Sequence, residues 1–193
     1  MDFIINLATT FWQWTVLIVL ILIGFIVNKV DKTGKDKRVD FKYASMPVMS
    51  PIPIPTKDKG FWQAILLWLT GTRRWKIEQD FHYSLGEENY KIPAGFEFDG
   101  ASVPKFLANF LSPIGVLLMG GLVHDYGYKY ATLMKQDGEN IGYRDQKYMD
   151  ILFRDICIEV NGFKVLNYLA YYALRLAGFV AWNGHKKRGT HVV

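Results

Sequence analysis

From Phe3 to Val27 the chain carries no Asp, Glu, Lys, Arg or His; only Asn6, Thr9, Thr10, Gln13, Thr15 and Gly24 interrupt the apolar run. At about 1.5 Å of rise per residue, a helix of this length covers the roughly 30 Å hydrocarbon layer of a bilayer. Phe11, Trp12 and Trp14 add rings suited to a headgroup interface. The chain opens Met-Asp, without the basic start and small-residue cleavage site of a signal peptide, so a retained transmembrane helix over residues 3–28 is expected. Lys29, Lys32, Lys35, Lys37 and Arg38 follow the run and nothing basic precedes it. The positive-inside rule then gives a single-pass membrane protein whose C-terminal domain lies in the cytoplasm, or inside a viral membrane.

A chain of 193 residues has room for that anchor and one domain. Residues 29–59 read as a charged and Pro-rich linker, because four prolines between Met46 and Pro55 deny helix and favour extended geometry. The domain spans 60–184 and a frayed basic tail 185–193. Phe61 to Leu69 is apolar and too short to cross a bilayer; it either lies on a membrane surface or covers the core. Partial alternation from Trp75 to Tyr83, a break at Gly86 and the apolar positions Tyr90 and Ile92 predict a small β-hairpin. The period then turns helical over Leu117–Leu133, Tyr143–Val160 and Phe163–Trp182. The expected fold class is therefore mainly α with a small β-hairpin. The single cysteine, Cys157, excludes an internal disulfide and reads as a small buried hydrophobe.

Chemistry concentrates between Gly95 and Phe153. On a helix His124 and Tyr128 share a face, whereas the adjacent Asp125 points about 100° away. His124 can thus face a substrate water while Asp125 aims at a cation. Asp99 precedes Gly100, where a sharp turn exposes carbonyl oxygens. Two carboxylates with backbone carbonyls and water form an all-oxygen set that suits Ca²⁺. If the helices near Leu117 and Tyr143 pack antiparallel, Asp150 meets the far nitrogen of His124, fixing its tautomer and stabilising the imidazolium.

The Asp99-Gly-x-Ser step, His124-Asp-x-Gly-Tyr128 and the later Asp150-x-x-Phe153 resemble phospholipase A2, especially its bacterial and fungal branch with D-G-C-S and H-D-x-G-Y. The longer string P-A-G-F-x-x-D-x-A-S-V-P followed by H-D-x-x-Y resembles an uncharacterised family of phage and bacterial proteins, DUF1353. The first resemblance implies a phospholipase A2-like helical core with His124 as general base, Asp150 orienting it and Tyr128 supporting Asp150. It also implies that Asp99, Gly100 and Asp125 help hold calcium, which polarises the ester of a phospholipid substrate. Ala101 stands where that branch has cysteine, and no half-cystine flanks His124. Arg144 and Asp145 are further candidates for the site.

The competing readings are structural: a hydrogen-bonded His-Asp pair, Asp99 as a turn or cap residue, and Asp150 on a solvated face. They correspond to a non-catalytic structural or lipid-binding membrane protein of a phage or bacterium. The net charge of +5 comes with no nucleic-acid motif. His82, His185 and His191 lack zinc-ligand spacing, and no nucleophile set marks a peptidase or amidase. The expected partners are a lipid bilayer, a phospholipid, and either further copies of the chain or virion membrane proteins.

Overall fold

The computed structural model describes residues 39–70, 74–99 and 115–192, together with Trp12, Ile18, Val19 and Leu22. Short alternating segments pair into two antiparallel sheets. In the first, β1 (Phe41–Tyr43), β4 (Phe81–Leu85), β5 (Glu88–Ile92) and β7 (Met134–Lys135) lie in that order. The central hairpin pairs Phe81 with Ile92 and Tyr83 with Tyr90 across the Gly86-Glu87 turn, where Gly86 adopts φ +64. Phe81, Tyr83 and Tyr90 stack at ring separations of 5.9 and 5.5 Å, giving the sheet a buried aromatic face.

The second sheet orders β2 (Met49–Ile52), β3 (Arg74–Ile77) and β6 (Glu97–Phe98). Pro51 is tolerated in β2 because that strand lies at an edge. Strand β6 ends one residue before Asp99, so this sheet delivers Asp99 to the cavity described below.

Helix α1 (Phe61–Thr70) separates β2 from β3. Its Phe61, Trp62 and Leu66 are exposed, so of the two placements open to this segment it does not cover the core with those side chains. Helices α2 (Leu118–Tyr130), α3 (Gln146–Asn161) and α4 (Lys164–Lys187) form the other half of the molecule. Asp145 caps α3 by accepting from the Tyr148 amide at 2.8 Å, and Gly162 ends it at φ +67.

Glycine brings α2 and α3 together as antiparallel neighbours. A Cβ at Gly120 would lie 2.3 Å from Cys157 Sγ and 2.8 Å from the Phe153 carbonyl oxygen; one at Gly127 would lie 2.3 Å from Met149 sulfur. Neither position accepts a side chain without moving its neighbour. The buried face of α2 then packs on β6 and its approach, with Phe96 and Tyr126 rings 5.2 Å apart.

Several expectations are corrected. The fold is mixed α/β with two antiparallel sheets, not mainly α with one hairpin. Strands of two to five residues give too few alternations to register as a pattern, and pairs such as β1 with β4 are non-local. Strands β1 and β2 fall inside the stretch read as a linker. The final residues fold back rather than fray: the Val192 amide donates to Tyr130 O at 2.8 Å, and His191 Nε2 donates to Tyr128 O at 3.0 Å. Among the described residues no helix is long and apolar enough to cross a membrane, which corrects the reading of a single-pass membrane protein with its assigned side. The stretch 3–28 lies outside the described residues, save Trp12, Ile18, Val19 and Leu22.

Candidate active site

Three side chains from two helices converge on one buried carboxylate of a third. Asp150, on α3, is fully buried, and its Oδ1 accepts from His124 Nε2 at 3.0 Å and from Tyr128 Oη at 2.5 Å. Its Oδ2 accepts from Arg175 Nη1 of α4 at 2.6 Å. Gln146 Nε2 donates to Tyr128 Oη at 3.1 Å, completing the phenol's partners. Every lone-pair direction used here is matched by a donor, as a buried carboxylate requires.

Local sequence explains the convergence. His124 and Tyr128 are one turn apart on α2, and their rings lie 3.9 Å apart by centroid. Phe153, one turn beyond Asp150 on α3, closes over His124 edge-on at 5.4 Å. Gly178 on α4 leaves room for the phenol, since a Cβ there would come within 2.5 Å of Tyr128 Oη.

Because the Asp150 carboxylate accepts from Nε2, that nitrogen carries the proton in neutral His124. Nδ1 is then the basic nitrogen, and it is buried without a hydrogen-bond partner. Burial acts to lower the His124 pKa, but Asp125 and Asp150 outweigh it and the net shift is upward. Burial likewise opposes ionisation of Asp150, yet its bonds from His124, Tyr128 and Arg175 hold it below the ordinary carboxylate range. The arrangement is an imidazole with one face oriented by Asp150 and a basic face that lacks a hydrogen bond.

Asp125 Oδ1 lies 3.6 Å from His124 Nδ1, too far for a hydrogen bond but within charge attraction. Its Oδ2 is buried and unpartnered. Burial pushes the Asp125 carboxyl up to about 7, with His124 opposing the rise and the Asp99 carboxylate adding to it. Asp99 and Asp125 both line a cavity of about 650 Å³, along with Tyr128; His124 sits behind that wall. A cation would relieve both the unpartnered oxygen and the mutual repulsion, so the pair fits one. Among the described residues no cluster of three or more His, Cys, Asp or Glu forms a complete metal shell. Gly100, expected to contribute to that site, lies outside the described residues.

A family model described as a protein of unknown function, DUF1353, matches residues 75–174. The chain belongs to the DUF1353 family. The match runs from β3 to the middle of α4 and takes in Asp99, His124, Asp125, Tyr128 and Asp150, ending one residue before Arg175. No curated protein and no solved structure matches this DUF1353 chain.

Arg175 was missed by sequence reasoning, which took it only as a polar interruption of an apolar helix. Its helical distance from the Asn161-Gly162 corner, set against that of Asp150, is the signal that could have placed the two together. Arg175→Met is expected to lower stability by about 1–2 kcal/mol, after discounting for the 34 % exposure of its side chain, with Arg175→Lys recovering part. Urea unfolding of the two variants measures this. The other candidates lie apart: Asp145 is the α3 cap, and Arg144 rests its guanidinium 5.5 Å from the Tyr148 ring centroid.

Proposed function

We propose that this domain is a calcium-dependent, phospholipase A2-like lipid hydrolase working through a His124–Asp150 dyad. The observation that carries the reading is His124 itself: Nε2 is tied to a buried carboxylate while Nδ1, 3.6 Å from Asp125 Oδ1, is left without a hydrogen bond. The large majority of buried polar side-chain atoms are hydrogen-bonded, so a buried ring nitrogen without one calls for a reason. Here the unbonded nitrogen lies beside the Asp125 wall of the cavity.

In this reading Nδ1 takes a proton from water as the water oxygen bonds to the ester carbonyl carbon. The imidazolium that forms is stabilised by Asp150, which Tyr128 and Arg175 hold in place. His124 then returns the proton to the departing alkoxide, so one water and one ester become a fatty acid and an alcohol. Asp99 and Asp125 would hold calcium, whose chemistry is to polarise the carbonyl and stabilise the developing oxyanion. The apolar wall of the cavity, formed by Ile52, Ile54, Leu67 and Val180, suits an acyl chain.

The 2 % exposure of His124 favours a second reading, a non-catalytic lipid-binding domain in which the polar cluster only pins three helices. Calcium separates part of this question. Unfolding of the wild type is expected to shift upward with calcium, by about 2.7 kcal/mol at a hundredfold excess over Kd. Asp125→Asn removes the charge from a carboxyl group whose Oδ2 is buried without a hydrogen-bond partner, and is expected to be more stable than the wild type in chelator and indifferent to calcium. Thermal unfolding of both proteins in calcium and in chelator checks this, and a wild type that ignores calcium would remove the metal from the reading.

A further inference from the structure

The same cavity is lined by basic side chains as well as by carboxylates. Lys129, one turn beyond Asp125 on α2, lines it together with His185 and Arg188 at the end of α4. Arg188 Nη2 donates to His185 Nδ1 at 2.9 Å, so His185 is the neutral acceptor and its other nitrogen carries a proton. Burial, then Arg188, His191 and Lys129, push the His185 pKa down to about 4. Lys129 is held 5.1 Å from the Phe96 ring centroid and 5.5 Å from that of Tyr130. Among the described residues neither Lys129 nor Arg188 has a carboxylate partner, whereas Arg74 in the same lining is paired with Glu97 at 3.0 Å. Asp99 and Asp125 line the same cavity; with calcium on them, as proposed above, Lys129 and Arg188 are left as the charges that an entering anion would neutralise.

We propose that Lys129, His185 and Arg188 bind the anionic group of the substrate and make the site selective for lipids of net negative charge over zwitterionic ones. This rests on the hydrolase reading for the word substrate and for the calcium that offsets Asp99 and Asp125, but not on catalysis. The spacing fits: Asp125 and Lys129 are separated by about 6 Å of helix rise, which sets an anion a few bonds from a carbonyl held at Asp125. An ammonium beyond the phosphoryl group would meet Arg188 and His185, the carboxylates of the lining being engaged by Arg74 (Glu97) and, in this reading, by calcium (Asp99 and Asp125). The apolar wall at Leu67 and Val180 takes the chain of the same molecule.

The test uses the full chain and short-chain, non-hydrolysable ether analogues of phosphatidylglycerol and phosphatidylcholine, kept below their micelle concentrations, with inorganic phosphate as a third ligand. Calorimetric titration in calcium is expected to show the glycerol lipid binding roughly ten- to a hundredfold more tightly than the choline lipid, as charge-assisted hydrogen bonds imply. The preference should shrink as salt rises. Arg188→Gln and Lys129→Gln should each reduce it severalfold, while Lys186→Gln, an exposed neighbour outside the cavity lining, should leave it intact. Equal binding of the two lipids, or a preference that survives both substitutions, overturns the proposal. Phosphate bound with no lipid preference marks a free-anion site and also overturns it. Selective binding without hydrolysis of the ester lipids would sink the catalytic reading and leave this one standing.

Discussion

Asp150→Ala is expected to destabilise the domain by about 3–5 kcal/mol, the cost of breaking a buried ion pair by removing one partner. The substitution strands three donors at once: His124 Nε2, Tyr128 Oη and Arg175 Nη1. His124 and Tyr128 are buried and cannot recruit bulk water, while Arg175, partly exposed, can. The loss should therefore come mainly from α2. Tyr128→Phe, which removes one donor and leaves the carboxylate bonded to His124 and Arg175, should cost only about 1 kcal/mol. Urea unfolding distinguishes the two, and equal losses would contradict the picture of a shared carboxylate.

The same group imposes a pH dependence. Asp150 is held below its ordinary range when folded, so its contribution is complete above the unfolded pKa near 4. It is lost as the pH falls through the lower, folded value. Acidification below about pH 4 should then destabilise the wild type more than Asp150→Ala, and the two unfolding free energies should converge.

Gly120→Ala is the second large effect. Alanine improves helix propensity by about 1 kcal/mol, yet overpacking a closed contact costs about 1–3 kcal/mol or more. Two atoms decide the sign. Cys157 Sγ at 2.3 Å can rotate away, but the Phe153 carbonyl oxygen at 2.8 Å is backbone and moves only with α3. Net destabilisation is expected, and adding Cys157→Ala should not restore the wild-type midpoint. Full rescue by the double substitution would show that the thiol alone sets the spacing. Moving α3 also moves Asp150 away from His124, so the variant should lose function before it unfolds.

What the sequence disclosed and what it concealed divide along physical lines. Helical spacing alone puts His124 and Tyr128 on one face, and an antiparallel partner helix brings Asp150 to the far ring nitrogen; these are local rules applied to long, periodic segments. The sheets were not legible. Strands β6 and β7 are two residues each, and β1 and β2 sit in segments whose lysines and prolines argue against strand. Their pairing is decided by partners distant in the chain, which composition does not encode. Arg175 was concealed differently: a single cation in an apolar helix looks like an interruption until its partner's place is known. Asp145, legible as a polar residue near the site, turned out to be a helix cap.

Release of fatty acid from mixed phospholipid vesicles by the purified protein, with calcium and with chelator, beside His124→Ala, tests the dyad most directly. Calcium-dependent release is expected from the wild type, with a fall of at least about a hundredfold in the variant, the usual scale for a lost general base. Absence of release by a folded wild type from every lipid offered, or release undiminished in the variant, would contradict the dyad and leave the cluster around Asp150 a structural one.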